Sequence, residues 1–242
     1  MHNRPRCMTG IKDLDLQMNG GIPVGSTVLL VGPSGAGKTT LCMQFLTNGA
    51  KMGEKGIFFT TIEPLFKIRK HFRGYEFFDE TLIKTGRLSV IDLWTISDRL
   101  GLDSEEYTAD DAYLLFDVLT EIAEELDAKR LVVDSITALC HRLQTKEMIR
   151  DFIFRLGATL AALKCTTILT SDVPPQTFRY SQYEIEEFIA DGIIFLGDIE
   201  RKGDLIRTLQ IIKMRGTEHS RTKFAMNLSP KKGVELSPLL KS

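Results

Sequence analysis

Apolar residues in this chain fall into two patterns. Short uninterrupted runs, VLLV (28–31), GIFF (56–59) and LVV (131–133), read as strands buried on both faces of a sheet. Between them the apolar positions recur at helical spacing. Leu41, Phe45 and Leu46 share one side of a segment over 38–53, with Gly49 or Gly53 near its end. Leu115, Leu119, Ile122 and Leu126 form a stripe over 112–126, and Ile149, Phe152, Ile153, Leu156, Leu160 and Leu163 mark another helix. The pattern predicts strands over 26–32, 56–63, 88–93, 130–135 and 166–171. Pro64 stops the second strand and opens a helix over 64–72. A polar loop is expected over 97–111, including the acidic run DSEEYTADD, with Trp94 packed near a strand end. After residue 190 the character changes to strand-like runs at 191–197, 205–216 and 222–228, separated by short turns. Alternating strands and helices followed by a run of strands predict an α/β fold, a mainly parallel sheet flanked by helices and extended by C-terminal antiparallel β-hairpins.

Without repeats or a long Pro/Gly/Ser linker, one domain over 1–242 is the expectation, with residues 1–9 a leading segment and 228–242 a tail. Composition adds little: 43% hydrophobic and 26% charged residues suit a packed core. A formal net charge of −1 argues against a broadly basic nucleic-acid binder, though not against a local patch. Cys7, Cys42, Cys140 and Cys165 are scattered without metal-ligand spacing and read as buried thiols. The opening MHNRPRCMTG is not followed by the apolar core of a signal peptide, and no run reaches the roughly 20 apolar residues that cross a bilayer. A cytoplasmic protein is expected.

The stretch GPSGAGKT satisfies G-x-x-x-x-G-K-[ST] between a predicted strand and a predicted helix. Gly32, Pro33, Ser34, Gly35, Ala36 and Gly37 would curl around a phosphate chain, and Lys38 would reach the β- and γ-phosphates. Thr39 would offer its hydroxyl to Mg²⁺, with Thr40 continuing the cradle into the helix. A P-loop needs a second carboxylate for the metal, and Asp134 after RLVV stands at the end of a neighbouring strand. Glu63, closing FFTTIE, would face the same edge, as a candidate for positioning the attacking water or as a plain first-turn acid of the next helix. Thr170, Ser171 and Asp172 are further candidates for sensing the γ-phosphate. In IIKMRGTEH (211–219), Lys213, Arg215, Thr217 and His219 occupy alternate positions, so a strand would line them on one face, suited to an anion.

Taken in order, GIPVGSTVLLVGPSGAGKTTLCMQFL and KRLVVDSITAL resemble the core of RecA-type ATPases. YEIEEFIADGIIFL followed by RTLQIIKMRGTEHS is similar to the KaiC branch of that group, over about 10–227. The resemblance implies a RecA-like P-loop core with ATP and Mg²⁺ as cofactors, and a homo-oligomeric ring, usually a hexamer, with nucleotide between adjacent subunits. It implies that Lys213 and Arg215 contact the neighbour's γ-phosphate, with Thr217 and His219 close by. Where the family commonly carries two consecutive glutamates, this chain has Glu63–Pro64, and the resemblance implies that Glu63, in the first place, activates the attacking water. Two other readings stay open. One is a RecA/RadA-like recombinase or repair accessory that binds single-stranded DNA through Phe178, Arg179, Tyr180 and Tyr183. The other is a nucleotide-gated scaffold that hydrolyses little.

Overall fold

The computed structural model describes residues 4–102, 108–177 and 179–239. A short antiparallel pair, β1 (Arg6–Cys7) and β2 (Ile22–Pro23), brackets α1 (Lys12–Gln17) at the N-terminal end. Then β3 (Thr27–Gly32) runs into α2 (Lys38–Lys51), and β4 (Gly56–Thr60) leads to α3 (Leu65–Phe72) and α4 (Thr81–Lys84). Next come β5 (Leu88–Asp92), α5 (Leu93–Leu100), α6 (Ala109–Glu125), β6 (Arg130–Asp134) and α7 (Ile136–Cys140). Long α8 (Lys146–Ala162), β7 (Thr166–Asp172) and α9 (Glu186–Ile189) precede β8 (Gly192–Arg201), β9 (Asp204–Met214), β10 (Lys223–Ser229) and β11 (Gly233–Pro238).

The main sheet has nine strands in the order β11-β10-β9-β8-β3-β7-β6-β4-β5. From β8 to β5 every neighbour is parallel, and β9, β10 and β11 are added antiparallel. Alternate side chains serve two cores. Val28, Leu30, Phe58 and Val132 pack toward α1, α2 and α3, while Leu29, Val31, Ile57, Phe59, Leu131 and Val133 pack toward α5, α6 and α8. Burial on both faces explains why these strands read as continuous apolar runs. The N-terminal end of the sheet carries a fully buried Arg130. It donates to Glu54 at 2.6 Å and to the carbonyls of Met8 and Phe45 at 2.8 and 2.7 Å, so its charge is compensated.

Several boundaries differ from the sequence expectation. The polar stretch from Ser97 is partly helical: Asp92 caps α5 by accepting from the Thr95 N–H, and Trp94 lies in the first turn of that helix, half-exposed. Of the acidic run, residues 103–107 lie outside the described residues. The run 191–197 continues to Arg201 and turns at Lys202–Gly203, both with positive φ, which closes a long hairpin. The strand expected to carry Lys213, Arg215, Thr217 and His219 on one face ends at Met214. Arg215 and Gly216 turn away, with Gly216 at φ 66°. The strand expected to end at Glu63 stops at Thr60. Residues 233–238 of the expected tail form β11, whose Val234 and Leu236 are buried. Among the described residues no helix is long and apolar enough to cross a membrane.

Candidate nucleotide site

Parallel pairing brings four strand ends to one edge: Gly32 of β3 stands opposite Asp172 of β7, and Thr60 of β4 opposite Asp134 of β6. The loop leaving β3 is shaped by glycines in conformations or close contacts that disfavour a side chain. Gly35 and Gly37 have φ of 79° and 101°, and a Cβ on Gly32 would stand 2.7 Å from the Leu196 carbonyl oxygen. This loop enters α2 at Gly37, so the first-turn N–H groups of a fourteen-residue helix open onto the edge.

Lys38 is buried beneath the loop. Its Nζ donates to the carbonyls of Gly32 and Pro33 at 2.8 and 2.9 Å, and pairs with Asp172 Oδ1 at 2.8 Å. Thr39 Oγ1 donates to Asp134 Oδ2 at 2.7 Å, and Thr170 Oγ1 donates to the other oxygen at 2.5 Å. Burial pushes the Asp134 carboxyl above the usual carboxylate range, against the opposing pull of those two hydroxyls and of Lys38. The Asp134–Ser135 peptide bond is cis. Ser135 Oγ donates to Asp172 Oδ2 at 3.1 Å, and the Asp172 N–H donates to Thr137 Oγ1 at 2.9 Å. Ser171 lies behind, exchanging a hydrogen bond with Thr137 and donating to the fully buried Glu186. That carboxylate also accepts from the N–H groups of Gln182, Tyr183 and Ile185.

A cavity of about 410 Å³ opens over this edge. Its floor is Ser34, Gly35, Gly37, Lys38, Thr39 and Thr40, with Asp134 and Asp172 beside them. Glu63 is on its wall, although three residues beyond the end of β4. The Thr60 hydroxyl bonds both the N–H and the carbonyl of Glu63 and closes the turn that carries it there. The far wall is His71 and Tyr75 from α3 and the segment after it, with Ile62 and Leu228. Those four were not among the residues expected from the sequence. Only the basic, aromatic KIRKHF segment hinted that α3 faces something polar.

The donor set fits a magnesium–nucleotide pair. Thr39 and Asp134 share a hydrogen bond at the mouth of the helix, and a P-loop ion takes few protein ligands because phosphates and water complete its shell. Among the described residues no three His, Cys, Asp or Glu side chains gather as a metal cage.

Lys213, Arg215, Thr217 and His219 are not on this cavity's wall. Lys213 Nζ donates to the carbonyls of Ala190 and Glu187 at 2.7 and 3.1 Å, and burial, with Arg215 nearby, pulls its pKa down. Arg215 is exposed and touches Asp191 Oδ1 at 3.5 Å. The Thr217 hydroxyl is taken by Arg6, and His219 Nδ1 faces the Thr217 carbonyl. In the segment considered for DNA, Phe178 lies outside the described residues. Tyr180 packs edge-on to Phe195, Tyr183 packs against His141, and Arg179 stands 4.0 Å from Glu184.

The model of the family described as "ATPase: KaiC" matches residues 7–241. A UPF0273 protein of Methanopyrus kandleri is 34% identical over 96% of this chain and 92% of its own length. The circadian clock protein KaiC3 of Synechocystis is 31% identical over 96% of this chain but only 45% of its own, so the chain spans about half of that relative. The crystal structure of a KaiC-like protein from Pyrococcus horikoshii OT3 superposes with a TM-score of 0.85 at 33% identity, covering 97% of this chain and all of that one. The mainly parallel sheet with added antiparallel strands matches that RecA-type neighbour.

Proposed function

This chain belongs to the KaiC family of ATPases, and from that premise we propose that it is a Mg²⁺-dependent ATP hydrolase working as a ring, with nucleotide at the subunit interfaces. The observation that carries the reading is the convergence of Lys38, the Thr39–Asp134 pair and Glu63 on one cavity at the strand-end edge. In this reading the loop 32–37 and the start of α2 cradle the phosphates. Lys38 leaves Asp172 to meet the β- and γ-oxygens. Thr39 and Asp134 would hold magnesium, which when bound neutralises phosphate charge. Glu63 orients the attacking water.

Among the described residues, Lys38 is the one lysine or arginine on the cavity wall, with His71 on the far side and Arg207 reaching the Gly35 carbonyl at 3.4 Å, and developing charge on the phosphate calls for a further cation. Arg215, exposed and weakly paired, is the group we assign to a neighbour's nucleotide, with Lys213 beside it. An arginine supplied in trans is worth roughly 10³–10⁵ in turnover. The proposed domain is the whole of 1–242.

The test is specific turnover at saturating Mg·ATP as protein concentration rises. A rate that climbs and levels supports a site completed between subunits. An appreciable rate that stays constant down to concentrations at which sedimentation finds monomers would overturn it.

A second reading, a nucleotide-gated scaffold, is favoured by Pro64 where relatives of this type commonly carry a second glutamate. The two separate at Glu63→Gln. The hydrolase reading expects a loss of roughly 10²–10⁴ in turnover with nucleotide affinity retained, whereas the scaffold reading expects no change. The packed state of Tyr180 and Tyr183 weighs against single-stranded DNA as the partner, since base stacking needs exposed rings.

A further inference from the structure

The connection from Met214 to Lys223 is an eight-residue loop, and such a loop carries a charged side chain to a fixed place only if something holds it. Ordering each free residue costs conformational entropy. Upstream the loop is fixed. Met214 pairs with Gly192, and the Arg215 N–H donates to the Asp191 carbonyl at 2.8 Å. Downstream, the partners come from the other end of the chain. Arg6 Nη1 donates to Thr217 Oγ1 at 2.6 Å and lies 3.5 Å from the Gly21 carbonyl. Asn19 Nδ2 donates to the Glu218 carbonyl at 3.1 Å, and the Ser220 N–H donates to the Gln17 carbonyl at 3.1 Å. Three ties within four residues clamp the loop just past Arg215.

The mount is itself rigid. Arg6 lies in β1, paired with Pro23. The buried Asp15 carboxylate accepts from the Thr9 N–H, the Thr9 hydroxyl and the Gly10 N–H at 2.8, 2.7 and 3.2 Å. The Met8 carbonyl is bound by buried Arg130. A charged donor on a hydroxyl is also stronger than a neutral pair.

We propose that Arg6 is a positioning residue: by holding Thr217 it fixes the Arg215–Gly216 turn so that Arg215 is presented at a set angle to a neighbouring subunit. This rests on the reading that Arg215 acts in trans. It assigns Thr217 a role inside its own protomer, as the bolt between loop and mount.

The test compares Arg6→Ala, Arg215→Ala and the double variant in the full chain. It measures kcat, the affinity for a fluorescent ATP analogue, and hydrogen exchange over 215–220. Arg6→Ala should lower kcat roughly 10- to 100-fold, the scale on which a small misplacement acts, with affinity within about twofold of the parent. The double variant should be no slower than Arg215→Ala alone. Exchange over 215–220 should quicken while α2 is unchanged. Thr217→Ala should reproduce the loss and Thr217→Ser should restore it, which guards against a misfolded Arg6 variant. If the two arginine losses multiply, or if Arg6→Ala leaves kcat and exchange at parental values, the proposal falls while the trans reading stands. If Arg215→Ala itself turns over normally, the trans reading falls first and takes this one with it.

Discussion

Asp134 illustrates how a site residue is held at odds with its own stability. Its carboxylate is buried, raised in pKa by that burial, and only partly compensated by the Thr39 and Thr170 hydroxyls. A carboxyl whose folded pKa lies above its unfolded value contributes most when protonated, and that contribution is lost as pH rises through the folded value. Above the unfolded carboxylate range the buried acid therefore costs stability until a cation arrives. Asp134→Asn should raise the melting temperature of the nucleotide-free protein by a few degrees, since roughly 1 kcal/mol shifts Tm by 2–4 °C at this size. The same variant should lose the stabilisation that Mg·ATP confers on the parent. A scan of Tm with and without Mg·ATP checks both. A nucleotide-free Tm below the parent's would show that the carboxylate is a net stabiliser. Lys38 carries a related tension: in the proposed reading its ion pair with Asp172 at 2.8 Å would be exchanged for phosphate.

At the scale of elements, the placement of the glycine-rich loop and its helix was open to reading from the sequence, and the rest of the candidate site much less so. Gly32 to Thr39 joins a buried strand to a largely buried helix, and chain neighbours stay neighbours in space. Asp134 was legible because parallel strands bring their ends to one edge. Glu63 reached the cavity by another route than expected. The apolar pattern of FFTTIE hid a turn closed by the Thr60 hydroxyl, a side-chain contact that leaves no periodicity. Alternation misled at Lys213–His219 because glycine at 216 ends the strand, and a period of two cannot register a turn. β11 was missed because GVELSP is short and half polar. Its burial comes from α1 and α2, far away in sequence. The Val234 N–H donates to buried Gln44 Oε1 at 2.8 Å, and a Cβ on Gly233 would collide with that same side chain. The strand thus buttresses the helix that begins at Lys38. Leu236→Ala should cost about 2–3 kcal/mol, from lost burial and the cavity left behind, or roughly 5–10 °C in Tm. Thermal unfolding followed by circular dichroism measures it, and a change under 1 °C would mean that β11 adds nothing to the core.

At the scale of the whole molecule, two polar features among the described residues stand apart. One is the cavity built on the ends of β3, β4, β6 and β7. The other is the turn after β9, where Arg215 stands exposed beyond the cavity wall. If one chain used both on the same nucleotide, each defect would stay within its own molecule and mixing would restore nothing. If the second surface serves a neighbour, Lys38→Ala protomers, which cannot grip phosphate, still carry an intact Arg215. Arg215→Ala protomers still carry an intact cavity. Each variant alone should be nearly inactive, by roughly the 10³-fold or more that such charges are worth. Mixed in equal amounts and allowed to exchange subunits, they should recover an appreciable part of the parental turnover. Random neighbours place an intact cavity beside an intact arginine in about one junction in four, which sets the ceiling of recovery near a quarter of the parental rate for independent sites. Recovery toward that ceiling makes the interface the unit of catalysis. A mixture no faster than the mean of its two components confines the reaction to single chains, and Arg215 would then be a surface charge paired with Asp191.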